Sequence, residues 1–438
     1  MSTEPEPEPT SDAPLDEAGK RRALLTVAFT LFLDLAGFGI ILPILPIYAL
    51  DMNASPAQVA LLSTAFSAAQ FLMAPVLGRI SDRYGRRPVM LFSIAGSAAA
   101  ALVLGFAGAL WVVFAARMVS GASKANVSTA HACVADLVPK DERAKYMGRM
   151  GAAMGMGFIF GPVIGGIVSG LFDHHVAFFL SAGLSILNFG MAALWLPETR
   201  RFDLASSSPP ARKNLLSPAG MRQALRGIKG THMAWLVLIA FFFSLSFAGM
   251  ESTLALFGEA LFSWTSLEIG LFMAFIGVSM VVFQGLIVGR AVARIGEAKT
   301  LALGLGLLAI GLLALGGVEQ ISLIIGFEAV TPEGGATPTT LVFFAVGGAC
   351  MAGGNGLSMA TLSALVSRVS TVDEQGWNMG LKESASSLSR VFGPVGAGLL
   401  FQHIDPGAPM IVGGLVAIGS CQLALFLGRR MHRDTPHS

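Results

Sequence analysis

Long apolar stretches recur along the whole chain and limit its fold more than any other feature of the sequence. Twelve of them reach the roughly 20 residues that a helix needs to cross a bilayer, at about 23–48, 57–77, 89–107, 110–135, 146–170, 176–196, 233–257, 268–288, 300–325, 340–366, 378–401 and 409–428. The composition agrees, because 54% of the 438 residues are hydrophobic, only 13% are charged and the mean hydropathy is +0.69. These values exclude a soluble globular protein. We predict an all-α integral membrane protein with twelve transmembrane helices.

The positive charges indicate how these helices are oriented. If the helices alternate in direction, 25 of the 29 lysines and arginines fall on the same side of the membrane as the N-terminus, and the loops on the other side hold none. Cytoplasmic loops carry such an excess. Both termini are therefore predicted to be cytoplasmic, in a multi-pass protein of the cell (inner) membrane. The formal net charge of +2 follows from this topology and does not indicate a nucleic-acid partner.

The sequence repeats itself once. Shifted by 232 residues, the segment GPV at 161–163 coincides with GPV at 393–395, and shifted by 211, GRISDRYGRR at 78–87 coincides with GRAVARIGEA at 289–298. Two parallel six-helix halves typically hold a substrate between them at the middle of the membrane. We therefore predict a transporter with a disordered cytoplasmic tail (1–21), an N-terminal six-helix bundle (22–199), a cytoplasmic linker (200–231), a C-terminal six-helix bundle (232–430) and a second cytoplasmic tail (431–438).

The first predicted helix contains a carboxylic acid, Asp34, in the run LFLDLAGFGIILPILPIYAL. This residue lies about eleven residues into the helix and so near the middle of the bilayer, where a charge costs roughly 2.5 kcal/mol or more. Such residues usually face a water-filled cavity or a charged partner and take part in transport. A carboxylate balanced between burial and a nearby cation can bind a proton from one side and release it to the other. We predict that Asp34 couples protons or binds substrate, the alternative being a purely structural ion pair.

The fourth predicted helix supplies cationic partners for this acid. Steps of four, three, four and three residues place one polar stripe on a helix, formed by Arg117, Gly121, Lys124, Ser128 and His131. We expect Arg117, Lys124 and His131 to line the substrate cavity, although His131 could instead extend to the membrane interface. His131, Cys133 and Asp136 are spaced so that a helix turns them apart. We therefore predict neither a metal site nor a catalytic site there.

The C-terminal half adds charges of its own within predicted helices. Glu251 lies in the seventh helix without an obvious local partner, and we predict that it lines the substrate cavity and is a second proton carrier. Glu383, Ser387 and Arg390 share one face of the eleventh helix, and we expect all three in the substrate cavity. The alternative is a structural pair of Glu383 with Arg390, because buried charges are normally paired.

The turn between the second and third helices has the pattern GRISDRYGRRP at 78–88. Its arginines alone are typical of a cytoplasmic loop. The whole pattern, however, resembles the signature Gly-x-x-x-Asp-Arg-x-Gly-Arg-Arg of the major facilitator superfamily. This resemblance implies a latch at the cytoplasmic side that stabilises the outward-facing state, consisting here of Gly78, Asp82, Arg83, Gly85, Arg86 and Arg87, with Asp136 as a further member. The second copy has Ala293 in place of the acid and Glu297 in place of an arginine, so the latch is expected mainly in the N-terminal half.

The fifth helix contains GAAMGMGFIFGPVIGG at 151–166. Small residues at this spacing are typical of close helix packing, and the proline is typical of a kink. The same stretch resembles the antiporter signature of drug/proton exchangers, which implies export; the matching residues are Gly157, Gly161, Pro162, Gly165 and Gly166. The segments LDLAGFGIILPILP, APVLGRISDRYGRRP, DERAKYMG and LPET resemble the tetracycline/proton antiporter group over nearly the whole chain. In that resemblance Arg117 matches an arginine associated with proton transfer.

The substrate remains open at this level. Three polar positions of the tetracycline group are occupied here by Ala100, Met280 and Leu308, whereas Gln284 is retained and is expected in the substrate cavity. Within the predicted helices, three acids stand against four bases, so an anionic or zwitterionic compound is as compatible with the sequence as a lipophilic cation.

Taken with the resemblance, these features predict a proton-coupled secondary transporter that exports small amphiphilic organic compounds by alternating access. We expect a monomer embedded in the lipid bilayer, driven by the proton gradient, with no cofactor, no metal and no enzymatic activity. The alternative is a symporter or facilitator for an organic anion or a lysolipid-like amphiphile. A membrane receptor or enzyme that does not transport is the remote alternative.

Overall fold

The computed structural model describes residues 17–124, 126–139, 142–199, 232–332, 334–370 and 375–434. Within these residues the chain forms fifteen α-helices and one π-helical segment. The helices are α1 (Glu17–Asp51), α2 (Pro56–Tyr84), α3 (Arg86–Gly105), α4 (Leu110–Ala122), α5 (Asn126–Leu137), α6 (Arg143–Leu171), α7 (His174–Trp195), α8 (His232–Phe262), α9 (Ser266–Val282), α10 (Val288–Ile295), α11 (Glu297–Gly316), α12 (Val318–Ile325), α13 (Pro338–Val369), α14 (Gln375–His403) and α15 (Ala408–Asp434). The π-helical segment, Phe283–Ile287, joins α9 to α10.

Ten helical segments in the described part of the chain are long and apolar enough to cross a membrane. They account for ten of the twelve predicted spans. The eleventh predicted span is α14, which has sufficient length but contains Lys382, Glu383 and Arg390. The fourth span differs from the prediction of one continuous helix, because α4 and α5 share it with a break between them. The ninth span is also shorter than predicted: α11 ends at Gly316, and α12 is a separate short helix.

The predicted tails are shorter than expected where the structure describes them. Helix α1 already begins at Glu17 and α15 continues to Asp434, so residues 17–21 and 431–434 are helical. Residues 1–16 and 435–438, and the predicted linker 200–231, lie outside the described residues. With twelve spans, the start of α1 and the end of α15 are on one side of the membrane. We call this side the terminal face and the opposite side the distal face.

The internal repeat is visible in the backbone of two turns at the terminal face. Gly85 separates α2 from α3 with a φ of 108°, and Gly296 separates α10 from α11 with a φ of 79°. Both values lie in the region that favours glycine because a side chain there meets its own backbone. Since these two residues coincide in the 211-residue shift, the two halves share the turn as well as the sequence pattern.

Contacts between the two halves run from the distal face to about the middle of the membrane. At the distal end the Ala57 amide donates to Gln402 Oε1 at 3.3 Å, and deeper in the bundle Thr64 Oγ1 donates to the Val391 carbonyl at 3.2 Å. Toward the terminal face, glycines on both sides of the cleft have no neighbouring atom within 4 Å of where a Cβ would lie: Gly78, Gly148, Gly151, Gly285, Gly289 and Gly380. Among the described residues, the cleft between the halves is therefore closed distally and open toward the terminal face.

Helix α6 packs on both halves at once through its small residues. A Cβ would come closer than 3.0 Å to an α1 carbonyl oxygen at three successive turns: Gly157 against Phe32, Gly161 against Ala36 and Gly165 against Ile40. On its other side, Gly166 meets the Ser266 carbonyl in the same way, and a Cβ at Gly270 would meet the Pro162 carbonyl. The absence of side chains at these positions lets α6 touch both α1 and α9, which puts the predicted antiporter motif at the seam between the halves.

A polar layer separates the two largest apolar clusters of the N-terminal half. Leu24, Val27 and Leu31 belong to a buried cluster near the terminal face, and Ile40 and Ile44 belong to another near the distal face. The α1 residues between them include an acid, Asp34. The C-terminal half has one large cluster with no such division among its described residues.

We predict that Gly161→Ala destabilises the protein while Gly151→Ala on the same helix does not. The added methyl group at Gly161 would meet the backbone of α1 at under 3.0 Å, so the two helices must separate, at a cost of roughly 1–3 kcal/mol. At Gly151 there is open space, and alanine gains up to about 1 kcal/mol of helix propensity. Thermal unfolding of both purified variants checks this, and equal midpoints for the two would contradict the packing described here.

Candidate functional site

Asp34 is the midpoint of α1 and is buried. Its Oδ2 atom lies 2.6 Å from Lys124 Nζ, in an ion pair whose two side chains are only 3% and 11% exposed. A charge buried at this depth requires such a partner, because the desolvation of a lone carboxylate is far more costly than that of a hydrogen-bonded pair. Removing either side chain alone would leave the other charge uncompensated.

Lys124 reaches Asp34 from a break in the fourth span. Helix α4 ends at Ala122 and α5 begins at Asn126. Ser123 Oγ donates to the Val119 carbonyl at 2.9 Å, and the Lys124 amide donates to Gly121 at 3.1 Å, three residues back rather than four. The sequence GASKAN favours this interruption, because glycine, serine and asparagine are weak helix formers. The lysine is thus carried by irregular backbone in the middle of the membrane.

Two aromatic rings hold the cations beside this pair. Phe38 lies one turn after Asp34, and its ring centroid is 5.6 Å from Lys124 Nζ and 5.8 Å from the Arg117 guanidinium carbon. Phe66 of α2 is closer to Arg117, at 4.4 Å, and packs on Phe38 at 5.4 Å. Aromatic faces attract cations, and more strongly when water is excluded. Phe38 therefore lies beside both Arg117 and Lys124, the two cations in the predicted membrane spans of the N-terminal half.

Arg117 also faces the C-terminal half. It is 3% exposed, and its Nε atom has no hydrogen-bond partner among the described residues. A cavity of about 20 Å³, enough for about one water molecule, is lined by Arg117 together with Ser63 of α2 and with Glu251 and Ser252 of α8. Glu251 interacts electrostatically with both Arg117 and Arg390. This acid therefore lies between a cation of each half.

The remaining predicted cavity residues lie nearer the terminal face or within the C-terminal half. Lys382 pairs with Glu383 at 3.5 Å and donates to Ser363 at 3.2 Å, while the Glu383 side chain is 68% exposed. His131 interacts electrostatically with Glu383 across the cleft. Arg390 is exposed. The alternative of a Glu383–Arg390 pair is thus replaced by a pair between neighbours in the sequence.

Two other predicted residues are placed without a link to the ion pair. Ser387 is half-buried on α14. Gln284 lies in the π-helical segment, and its Cγ atom would be 3.0 Å from a Cβ at Gly356 of α13, so this side chain packs within the C-terminal half. π-Helical turns inside transmembrane helices are often found at functional sites.

Buried polar atoms without partners surround the ion pair. Thr30 lies one turn before Asp34, and its hydroxyl has no partner among the described residues, while its carbonyl accepts from Asn188 Nδ2 at 3.2 Å. Asn126, the first residue of α5, is 1% exposed, and neither polar atom of its side chain has a partner there. Buried groups of this kind are normally satisfied by protein or water. This layer is therefore suited to hold water near the carboxylate.

The predicted latch residues come together at the terminal face of the N-terminal half. Arg86 donates to Asp82 at 2.6 Å, to Asp136 at 3.1 Å and to Ser81 at 3.2 Å. Glu198 accepts from the amides of Arg86 at 2.8 Å and Arg87 at 3.2 Å, which caps the first turn of α3. The latch therefore ties the α2–α3 turn to the ends of α5 and α7.

The four other predicted latch residues differ in their surroundings. Arg87 also donates to the Ala193 carbonyl at 2.7 Å, and exposed Arg83 lies over the ring of Tyr84 at 5.3 Å. Gly85 has no room for a side chain, because a Cβ there would meet the Glu198 carboxylate. Gly78 has open space beside it.

The C-terminal half contains the same latch contact with its charges exchanged. Arg368 donates to Glu297 at 3.2 Å. In the two repeat shifts, Glu297 coincides with Arg86 and Arg368 coincides with Asp136. In both halves, a residue in the first turn of one span is therefore paired with a residue at the end of the following span. The charges are reversed: α3 contributes a base and α5 an acid, whereas α11 contributes an acid and α13 a base. The sequence analysis noted the substitution at Glu297 but missed its partner.

The model of the Major Facilitator Superfamily matches residues 27–331, more than half of the sequence. The chain belongs to the major facilitator superfamily. A tetracycline resistance protein of class G from Vibrio anguillarum is 31% identical over 375 residues, which are 84% of this facilitator and 88% of that relative. The family and the tetracycline-like group predicted from the sequence are thereby confirmed.

Solved structures support the same fold. The crystal structure of the human organic anion transporter MFSD10 aligns with a TM-score of 0.67 and 25% identity, over 92% of this facilitator and 99% of that chain. A bacterial homologue of the human lysosomal transporter Spinster, in an inward-facing and occupied conformation, aligns with a TM-score of 0.72 and 15% identity over 97% of this facilitator and 100% of that chain. The twelve-helix fold is confirmed, and the family consists of transporters and not of enzymes.

One feature of the fourth span was predicted wrongly. The spacing of Arg117, Lys124 and His131 indicated a single stripe on one helix, but α4 carries Arg117, α5 carries His131 and Lys124 lies in the break. The sequence analysis also missed Phe38, Phe66 and Glu198. Phe38 had a local signal, because it is four residues from Asp34 on the same helix face, and Glu198 lies in the quoted segment LPET.

We predict that Asp82→Asn slows transport by this facilitator severalfold while leaving substrate affinity unchanged. The substitution removes the negative charge that pairs with Arg86, at a turn that lies at the terminal face and away from the central charges. It should therefore shift the balance between conformations and not the binding site itself. Initial transport rates and equilibrium binding of the same substrate check this.

Arg79→Gln is the matched control, because Arg79 is exposed in the same turn region and donates only to the Pro75 carbonyl of its own helix. A loss of affinity in Asp82→Asn without a loss of rate, or equal effects of the two variants, would contradict the latch.

Proposed function

We propose that this facilitator is a proton-coupled secondary transporter that exports small amphiphilic organic compounds by alternating access. It resides in the inner membrane of the cell with both termini in the cytoplasm, and the proton gradient drives it without a cofactor. The observation that carries the proposal is the buried pair of Asp34 with Lys124 at the middle of the membrane.

The pair supports proton coupling because its acid has two stable states. Paired with Lys124, the carboxylate is charged and compensated; protonated, it is neutral and suited to an apolar environment. Either state can be buried while the halves rearrange, whereas an unpaired carboxylate cannot. A group with these properties can take up a proton when it faces one side of the membrane and release it when it faces the other.

Export is supported by the seam between the halves. The glycines of α6 bring its backbone against α1 on both sides of Asp34, and Gly166 brings it against α9. A change at Asp34 therefore acts next to the surface on which the halves move. The relative from Vibrio anguillarum is named for tetracycline resistance, and removal of a drug from the cell is one way to resist it.

The orientation is supported by the position of the basic residues. At the terminal face, the ends of the described helices carry basic residues, including Arg83, Arg86 and Arg87, whereas the described turns at the distal face contain no lysine or arginine. Cytoplasmic loops carry this excess. With the terminal face in the cytoplasm, the cleft described above is open to the cytoplasm and closed to the outside, as needed to collect a substrate for export.

The substrate is amphiphilic because the cleft combines charges with large apolar surfaces. Asp34, Glu251 and Arg117 are set among Phe38, Phe66 and the aliphatic side chains of α1. An organic compound with one polar end could place that end among the charges and its remainder against the apolar side chains.

A second candidate function is the transport of an organic anion. Of the charges within the membrane, Asp34 and Glu383 are paired with lysines, which leaves Glu251 with two arginines, Arg117 and Arg390. One positive charge is in excess, and it favours an anionic group. The relative MFSD10 is named an organic anion transporter.

We predict that Asp34→Asn abolishes accumulation against a gradient while the protein remains folded. Asparagine has nearly the same size as aspartate, but its amide side chain cannot bind and release a proton as a carboxylate does. Wild-type and variant proteoliposomes would be loaded with a panel of amphiphilic compounds, and transport would be followed with and without an imposed pH gradient. Transport driven by the pH gradient in wild type alone is the expected result.

Asp51→Asn is the matched control, because Asp51 ends the same helix and its side chain is 62% exposed. That variant should transport like wild type. Transport against a gradient by Asp34→Asn would contradict the role of Asp34, and the absence of any effect of the pH gradient on wild type would contradict proton coupling altogether.

For the second candidate, Lys124→Ala should weaken the binding of an anionic amphiphile by roughly 1.5–3 kcal/mol, the range of a charge-assisted hydrogen bond. A lipophilic cation should bind equally well or better, because a like charge has been removed. Equilibrium binding of both compounds measures this, and negligible effects on both would place Lys124 outside the binding site.

A further inference from the structure

The two members of the central ion pair differ in their freedom to move. Asp34 is held at the midpoint of a continuous helix, packed by α6 on both sides. Lys124 lies on irregular backbone between α4 and α5, at the end of a flexible four-carbon chain. Its side chain is also the more exposed of the two. If the pair opens, the ammonium group moves and the carboxyl group stays.

The surroundings determine where the ammonium group can go. Three helices packed against α1 supply no charge near Asp34. Helix α6 has no charged residue after Arg149, and α7 has none after its two initial histidines. The acid of α9, Glu268, caps its own helix at the distal end. The charged groups facing the region come from the fourth span and the opposite half: Arg117, Lys124, His131, Glu251, Glu383 and Arg390.

Protonation of Asp34 would leave Lys124 without its anion. It would also leave Lys124 and Arg117 as two like charges on one ring, at 5.6 and 5.8 Å from the centroid of Phe38. Like charges that share one ring in a water-poor site repel each other. Of the two, Lys124 is the one on irregular backbone, so the lysine is expected to move, and toward the cleft between the halves.

We infer that Lys124 acts as a tethered cation, that is, a positive charge fixed to the protein that pairs with Asp34 as the positive group of a substrate would. Protonation of Asp34 breaks this pair and releases the Lys124 side chain into the cleft. This inference rests on the proposed proton coupling at Asp34. The cleft thereby gains one positive charge for each proton bound. No covalent bond changes, since the proton adds to a carboxylate oxygen of Asp34 and the ammonium group keeps its own three protons.

In this arrangement, the charge of the substrate determines whether it is exchanged for a proton or moves together with one. A cationic amphiphile competes with both Lys124 and the proton for Asp34, and it is repelled once Lys124 is released. Such a compound exchanges with a proton and can be exported. An anion binds best to the released lysine and therefore together with a proton, so it moves in the same direction as the proton. The exported compounds are accordingly predicted to carry a positive charge.

The test uses two ions of nearly equal size and shape, tetraphenylphosphonium and tetraphenylborate, with purified full-length protein and protein-free micelles as blank. As the pH is lowered, the cation should bind more weakly to wild type and the anion more tightly. Coupling to one proton limits each change to about tenfold per pH unit. Changes in the same direction for both ions, or none for either, would overturn the inference.

A set of variants separates the lysine from a simple effect of charge. Asp34→Asn releases Lys124 permanently, so tetraphenylborate should bind about tenfold more tightly than to wild type at neutral pH, without pH dependence. The double variant Asp34→Asn/Lys124→Met should lose this gain, and it leaves no buried charge unpaired. The matched control Asp34→Asn/Lys382→Met removes a lysine of the other half and should keep the gain.

Retention of the gain in Asp34→Asn/Lys124→Met would overturn the role of Lys124. Proteoliposome transport distinguishes this failure from that of the proposed function. If a pH gradient drives transport but the two ions show no opposite pH dependence, the tethered cation is wrong and proton coupling stands. If the opposite dependence is found but no pH gradient drives transport, the pair responds to protons without coupling them.

Discussion

An ion pair in the middle of a membrane sets the conditions under which the rest of the N-terminal half is built. Asp34 and Lys124 compensate each other at 2.6 Å, and neither could remain charged there alone. The lysine comes from a span that is interrupted at this depth, and the acid comes from a helix that is not. Polar side chains and aromatic faces fill the layer around the pair, and apolar clusters close it toward both faces. The hydrocarbon thus accepts two charges only because several helices are arranged around them.

The two halves differ in sequence and backbone where this pair lies. The position equivalent to Lys124 in the second half is Gly356, inside the continuous helix α13. There the glycine admits the side chain of Gln284, and the buried apolar residues described in this half form one cluster. One half therefore contains an element that can change its charge distribution, and the other provides a uniformly packed body for it to move against. Such a division is compatible with rigid-body rocking of two halves whose inner surfaces differ.

The sequence predicted what depends on local pattern, and it missed what depends on contacts between distant segments. Twelve spans follow from hydropathy, and the grouping of Asp82, Arg86 and Asp136 followed from a motif. The break in the fourth span could not be predicted from the sequence, because its weak helix formers occur in intact transmembrane helices as well. The close approach of α3 to Ser123 and of α2 to Gly121, which accompanies the break, becomes visible only in the fold. The same holds for Glu198, whose role as a cap depends on where α3 begins.

The exchanged polarity of the two latch pairs has a consequence for how such a repeat can evolve after duplication. Arg86 with Asp136 and Glu297 with Arg368 differ at both members. If one pair descends from the other, a single substitution to the opposite charge would have placed two like charges side by side at a helix terminus. A passage through a neutral residue avoids this repulsion, so the favoured ancestors are ones in which one half had lost its ion pair altogether. The symmetry seen today would then be restored rather than retained.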